Sequence, residues 1–357
     1  FAPEYPGGGS WLDLSFPGYF LRLKGQPQGI GLYNLGDRNA WEMLLQHTSS
    51  LITREGLGIY RIDGPLGANC PYPQKQPLAW WRDNDPPDRQ GITEIRYIEG
   101  LYAFWDERLR RHPGLIIDLC GGGATRLDLE AMSRCLYLWR SDSDHPGFEP
   151  DGEQARNYGA SLWTLSTATG CGYPETYSFR SSLNEGVALC WNPYQPTVAQ
   201  DWPLAHPVRQ KAPHQARQVP RQTVSDLRQG YTVSEPFPWD SAERLAAEFK
   251  RVRPLFAGDF YPLTPYSVAA TDWMAYQYHR EDLREGMVIA FRRSRSPDRQ
   301  LRLKLGAVSP RASYELRFID EAGATRTTRA RGLDQGLDLV IDDPAGSLLV
   351  LYRQVGR

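Results

Sequence analysis

The sequence holds no run of about 18 apolar residues, so no membrane-spanning helix is expected from it. No signal-peptide pattern opens it. It has no C-x-x-C pair and no H-E-x-x-H motif, the spacings that announce a zinc site or a thioredoxin-like dithiol. Its five cysteines, Cys70, Cys120, Cys135, Cys171 and Cys190, are odd in number and irregularly spaced. Neither sign of charge dominates. The 41 Lys and Arg balance 42 Asp and Glu, so no basic surplus points to nucleic acid and no acidic tail is present. Internal repeats are absent as well.

What is present is an ordinary soluble composition, 41% hydrophobic and 23% charged, with a length of 357 residues that suggests about two domains. Aromatics are plentiful, with 11 Trp, 19 Tyr and 12 Phe. Their faces stack on the C–H faces of sugar rings, and they also fill cores.

From Asp37 to Trp191 helix-like and strand-like segments alternate. Asp37 is placed to cap a helix whose residues Trp41, Leu44, Leu45, Thr48, Leu51 and Ile52 recur at spacings of three and four. Gly56 and Gly58 end it. The strand Ile59-Tyr60-Arg61-Ile62 follows, with Asp63 after it and a loop rich in Pro and Asp from Gly64 to Gln90. A second amphipathic helix carries Ile92, Ile95, Ile98, Leu101, Tyr102 and Trp105 and breaks at Pro113-Gly114. The continuous apolar run Leu115-Ile116-Ile117-Asp118-Leu119 suits a strand of a buried parallel sheet. A short helix from about Leu127, a strand Leu136–Trp139, a helix from about Gln154 to Leu162 and a strand Val187–Trp191 continue the rhythm. Alternation of this kind predicts an α/β barrel or doubly wound sheet, with chemistry at the C-terminal strand ends.

The stretch from about Asn192 to Pro236 is rich in Pro, Gln, Arg and His and reads as a long loop insertion. Asp240 and Glu243 have the spacing of a capping box, ahead of Leu245, Phe249 and Val252. From about Pro265 the period drops to two. Leu301, Leu303 and Leu305, then Tyr314, Leu316 and Phe318, then Leu337, Leu339 and Ile341, and finally Leu348 to Tyr352 predict an antiparallel β-sandwich.

Two carboxylates stand out. Asp63 follows an apolar strand and precedes Gly64-Pro65, which also suits a turn residue. Asp142 follows Trp139-Arg140-Ser141 and could equally belong to a polar loop or a helix cap. Taken as a pair at neighbouring strand ends, they meet a requirement of glycoside cleavage. Retaining enzymes set two carboxyl groups about 5–5.5 Å apart, one attacking and one protonating.

These stretches resemble the melibiase-type α-galactosidases, a family of retaining glycoside hydrolases. Tyr60-Arg61-Ile62-Asp63 is similar to the family's Lys-Trp-Asp or Tyr-Arg-Gln-Asp strand end. Cys120-Gly121-Gly122-Gly123-Ala124-Thr125-Arg126 resembles Cys-x-x-Gly-x-Gly-Arg, and Trp139-Arg140-Ser141-Asp142 resembles Trp-Arg-Ser-Asp. The runs Leu32–Asp37, Trp81–Ile92 and Gly258–Pro265 look like the family's bacterial branch. Pro65 and Thr125 depart from it, standing where relatives carry Asn and Gly.

The resemblance implies a (β/α)8-type barrel over residues 1–258, with the insertion near 192–236, followed by a β-sandwich over 265–357. It implies Asp63 as nucleophile and Asp142 as acid/base. The implied sugar-contacting set is Arg61, Cys120, Gly123, Arg126, Trp139, Arg140 and Trp81. For Cys120, a small buried packing residue is the equal alternative, and for Arg126 and Arg140 a salt bridge to a nearby Asp is the commoner fate. Trp191 is a further candidate sugar platform. No metal or organic cofactor is implied, and the partner is a carbohydrate, with no membrane or nucleic acid. Phe1-Ala2-Pro3-Glu4 resembles the end of the third barrel strand. The expectation is therefore a barrel incomplete at its N-terminus, completed by a missing segment or by other protein such as a second copy. Two alternatives accompany hydrolysis of α-galactosides. One is sugar transfer of the raffinose-synthase kind, and the other is a truncated, non-catalytic sugar-binding remnant.

Overall fold

The structure, a computed structural model, describes residues 10–21, 32–62, 85–120, 123, 127–141, 149–164, 166–172, 174–191 and 237–356. The chain divides into two compact units, one ending at Arg140 and one beginning at Ser141. Among the described residues no helix is long and apolar enough to cross a membrane.

In the first unit a short helix, α1 (Trp11–Ser15), precedes the antiparallel pair β1 (Phe20–Leu21) and β2 (Leu32–Tyr33). The helix α2 (Arg38–Glu55) starts where its cap residue dictates. The Asp37 carboxylate accepts the Ala40 N–H at 2.9 Å. It ends at Gly56, whose left-handed φ of 64° costs glycine little. Leu44, Leu45, Thr48 and Ile52 form its buried stripe, as their spacing predicts.

The next helix, α3 (Ile92–Arg111), turns a different face inward from the one its aliphatic residues suggest. Tyr97, Leu101, Phe104, Trp105 and Arg108 are buried, while Ile95 is 54% and Ile98 37% exposed. A close approach fixes this rotation. A Cβ on Gly100 would lie 2.0 Å from the Leu35 carbonyl oxygen, so only glycine allows the two backbones to meet there. The Trp41 indole N–H donates to the Gly100 carbonyl at 2.9 Å and ties α2 to the same turn.

Three parallel strands follow: β3 (Ile59–Ile62), β4 (Ile116–Leu119) and β5 (Tyr137–Trp139). The short helix α4 (Leu129–Met132) lies between the last two, its start capped by Asp128, which accepts the Ala131 N–H at 2.8 Å. Tyr60 and Ile62, Ile117 and Leu119, and Leu138 point to one face. There they join Leu44, Leu45, Leu101, Phe104 and Trp105 in one core. Burying each such side chain contributes roughly 1.5–3 kcal/mol. Side chains alternate along a strand, so Arg61, Asp118 and Tyr137 share the opposite face.

Arg108 is fully buried in this core. Its guanidinium carbon sits 3.8 Å from the Tyr60 ring centroid and 4.4 Å from that of Phe104, and it donates to the Thr48 hydroxyl. One cation thus joins α2, α3 and β3.

The second unit opens with the helix α5 (Pro150–Ser161), then the strand β6 (Thr167–Cys171), the helix α6 (Thr176–Ser182) and the strand β7 (Gly186–Leu189). β6 and β7 pair in parallel, with α6 as the crossover. The helix α7 (Trp239–Val252) begins two residues earlier than a capping box at Asp240 requires. Pro238 holds the cap position and no side chain caps the helix. Asp240 lies inside the first turn, where its charge favours the helix dipole instead. The reading of Asp240–Glu243 as a capping box is corrected accordingly.

Eight antiparallel strands complete this unit: β8 (Asp259–Pro262), β9 (Met274–Arg280), β10 (Glu285–Arg292), β11 (Gln300–Leu303), β12 (Ser313–Ile319), β13 (Thr325–Ala330), β14 (Leu337–Val340) and β15 (Gly346–Gly356). Six of them form one sheet in the order β13-β12-β15-β10-β9-β8, and β11 pairs with β14. Period-two alternation lets the large sheet bury both faces. Val288, Ala290, Leu348 and Val350 meet Leu303, Leu337 and Leu339 in one core. Met287, Ile289, Phe291 and Leu349 face the other way, into a core with Tyr158 of α5, Phe179 of α6 and Leu245 and Val252 of α7. Trp191 packs beside this second core, 5.9 Å from the Phe179 ring, so in this structure it serves as packing for α6.

Candidate active site

The face of β3, β4 and β5 opposite the first core brings together Arg61 and Trp139, two of the residues singled out in the sequence, and adds Asp118. The register sets Arg61 against Asp118 and Asp118 against Tyr137. Arg61 Nη1 donates to Asp118 Oδ2 at 2.8 Å. The pair is partly screened from solvent, with side-chain exposures of 32% and 18%. The Arg61 guanidinium carbon lies 4.5 Å from the Trp139 ring centroid, so the cation is held by a carboxylate at its edge and an aromatic face beside it.

Cys120, the residue after β4, is buried, and its N–H donates to the Ile62 carbonyl at 2.7 Å. That bond continues the β3–β4 ladder one residue past the strands. Trp139 and Arg140 are buried at the end of β5. Gly123 adopts φ of 64°, a backbone shape that glycine takes without strain. Asp63, Trp81, Arg126 and Asp142 lie outside the described residues, as do Pro65, Thr125 and the 192–236 stretch. In sequence, Asp63 directly follows the last residue of β3, and Asp142 follows Ser141, two residues beyond the end of β5.

Asp118 is the site residue that the sequence reading passed over. It sits inside an apolar run and counts there only as part of a strand. Its one visible signal is the cost of a carboxylate at that position, which implies a partner. Which cation answers it becomes evident only from the strand register. Among the described residues no group of three or more His, Cys, Asp or Glu is arranged to hold a metal ion.

Parallel strands with helical crossovers thus carry basic, acidic and aromatic side chains at their C-terminal ends, and antiparallel sheets accompany them. Solved structures similar to this chain include α-galactosidases of glycoside hydrolase family 36. A variant of α-galactosidase AgaA from Geobacillus stearothermophilus, in complex with raffinose, superposes with a TM-score of 0.65 at 17% identity, covering 99% of this chain and 44% of that one. The α-galactosidase from Lactobacillus brevis gives 0.65 at 15% identity, covering 100% of this chain and 44% of that one. Another AgaA variant was solved with stachyose.

Two curated relatives agree. AgaA of G. stearothermophilus is 38% identical over 58 residues, which is 16% of this chain and 8% of the relative. Probable α-galactosidase C of Aspergillus terreus is 22% identical over 268 residues, 74% of this chain and 30% of the relative. No family model matches the chain. The chain spans less than half the length of each of these relatives. The resemblance to α-galactosidases carried by the three strand-end motifs thus extends in fold across nearly the whole sequence.

Proposed function

We propose that this chain carries the catalytic half of a retaining exo-glycosidase that removes terminal α-linked galactose, or a closely related sugar, from oligosaccharides or glycoconjugates. The observation that carries the reading is the Arg61–Asp118–Trp139 constellation, built from three adjacent parallel strands whose ends bear the family motifs. The finer architecture belongs to the same proposal: a (β/α) barrel over residues 1–258 and a β-sandwich over 265–357.

In this reading an Asp63 oxygen attacks the anomeric carbon while the glycosidic bond breaks. Asp142 gives its proton to the departing oxygen. The sugar is left as an ester on Asp63. Asp142, now a carboxylate, takes a proton from water, the water oxygen attacks the anomeric carbon, and Asp63 is released. Two inversions return the original configuration. Arg61 serves as a hydroxyl ligand, with Cys120, Gly123, Arg126 and Arg140 around the sugar and Trp81 and Trp139 as aromatic walls. Raffinose and stachyose, held by the structural neighbours, are natural first oligosaccharides to offer.

The test is hydrolysis of nitrophenyl α-galactoside by the purified chain, beside Asp63→Asn and Asp142→Asn, with other α- and β-glycosides as controls. Turnover of the α-galactoside that falls by several orders of magnitude in Asp63→Asn supports the reading. A folded chain that binds galactose and turns over no glycoside contradicts it and favours a sugar-binding remnant.

A further inference from the structure

We propose that the outer side of α2 carries a second saccharide site, a groove that holds a neutral polysaccharide chain away from the catalytic carboxylates. The site goes beyond the proposed activity and does not depend on it. The helical period decides which side chains of α2 face outward. Ala40, Leu44, Leu45, Thr48 and Ile52 turn into the first core. Asn39, Glu42 and Gln46, three and four residues apart, therefore share an exposed side of the helix. There a groove of about 510 Å³ opens between them and Tyr19, and Trp41, Met43 and Arg111 complete its lining. That volume lies in the range of small-ligand sites.

The chemistry of this lining is that of a sugar site. Aromatic rings border it in a strip. Tyr19 stacks on Phe16 with ring centres 5.4 Å apart, and Phe16 meets Trp11 edge to face at 5.7 Å. Trp11 is 57% exposed and lies 5.2 Å from the His47 ring, one turn past Met43 on α2. Such rings offer faces to the C–H side of a sugar. Asn39 and Gln46 each present an amide donor and a carbonyl acceptor, the two functions that adjacent hydroxyls demand. Glu42 pairs with Arg38 at 2.9 Å and Arg111 with Glu107 at 2.7 Å. The groove thus brings one paired charge of each sign, which suits an uncharged ligand. A protein-docking surface needs an apolar centre, and of the lining residues Met43 alone is a purely apolar, non-aromatic side chain.

The parallel sheet stands between this groove and the proposed catalytic face. α2 packs on the core side of β3–β5, and Arg61, Asp118 and Trp139 lie on the other side. A chain bound along α2 is anchored there and not cleaved.

Native electrophoresis through galactomannan reads this anchoring without turnover. The wild-type chain runs beside Asn39→Ala/Gln46→Ala, Trp11→Ala and Arg61→Met, in gels holding galactomannan, anionic polygalacturonate or no polysaccharide. Alanine suits the exposed α2 positions, so the double variant keeps the helix. Galactomannan is expected to slow the wild type and Arg61→Met alike. Losing the two amides, or the Trp11 ring, should raise the galactomannan concentration needed for half-maximal retention by about tenfold.

Wild-type mobility that galactomannan leaves unchanged overturns the proposal. So does retention that a folded Arg61→Met chain loses, or that survives the Asn39/Gln46 and Trp11 changes. Equal slowing by polygalacturonate marks ionic adsorption and overturns it too. A dimer that becomes a monomer in Trp11→Ala and ignores galactomannan makes the strip a protein contact instead. A wild type held by galactomannan that hydrolyses no glycoside leaves the groove standing while the proposed activity fails.

Discussion

Arg108 lays its guanidinium 3.8 Å from the centre of the Tyr60 ring, on the strand residue next to Arg61. A fully buried cation therefore stands behind β3 while the proposed sugar face lies in front of it. Its hydrogen bond to Thr48 and its stacking on Phe104 fix the spacing of α2, α3 and the strand. Arg108→Ala should destabilise the first unit by about 3 kcal/mol, through the lost stacking and the cavity left behind. Arg108→Lys should recover less than half of that, because an ammonium lacks the flat face that stacks on Tyr60. Urea denaturation of both variants checks the order.

Gly100→Ala should cost about 1–3 kcal/mol despite being a favourable exchange by helix propensity alone. The new Cβ would fall 2.0 Å from the Leu35 carbonyl oxygen, and a backbone atom cannot swing aside as a side-chain tip can. A thermal midpoint equal to or above that of the wild type would refute the packing account of this helix.

The second unit has its own buried ion pair. Arg180 Nε and Nη2 donate to the two oxygens of Glu248 at 2.8 and 2.7 Å, and both side chains are essentially buried. Further bonds from Arg180 reach the Ser347 hydroxyl and the Asp320 carbonyl, tying α6 and α7 to the sheet. Glu248→Gln should destabilise by about 3–5 kcal/mol, since it leaves an uncompensated buried guanidinium. Replacing both partners, as Arg180→Met with Glu248→Leu, should cost less than the single change. A double-mutant cycle in denaturant measures this, and additive losses would contradict it.

Glu321 supplies a pH dependence. Burial pushes its carboxyl up to about 7 from an ordinary 4.5, against the pull of the Ser347 hydrogen bonds and the Arg180 charge. The folded state therefore holds this proton more tightly than the unfolded chain does. Its contribution to stability is full below about pH 4.5 and is lost as pH rises through about 7, an effect of about 3 kcal/mol. Stability curves taken across that window should fall more steeply for the wild type than for Glu321→Gln. Equal slopes would remove Glu321 as the cause.

Much of this was legible in the sequence because it rests on local physics. The Asp37 cap, the Gly56 stop and the Leu44–Ile52 stripe were all read correctly, and each is fixed within a few residues of itself. The same holds for β3, β4 and β5, and for β11, β12, β14 and β15, whose apolar periods mark them. What escaped depends on partners distant in sequence. β6 is buried yet built from Thr, Ala, Gly and Cys, and buried α6 sets Thr, Ser and Arg among Tyr177 and Phe179, so neither carries an apolar period. Their hydroxyls are satisfied by other groups, as where Ser181 donates to the Tyr177 carbonyl at 2.7 Å and accepts from Gln154 at 3.0 Å. The rotation of α3 follows from Gly100 meeting Leu35, and no helical periodicity encodes that. In the site, the motifs pointed to Arg61, Cys120 and Trp139, whereas Asp118 emerged only when β3 and β4 were set in register.

The central claim is that Asp63 forms a covalent ester with the sugar. Incubation with a slowly turned-over fluorinated α-galactosyl fluoride, followed by mass spectrometry of the digested chain, tests it most directly. The account predicts one glycosyl adduct on the peptide containing Asp63 and none in Asp63→Asn. An adduct on any other residue, or hydrolysis of α-galactosides with inversion and no adduct at all, would contradict it.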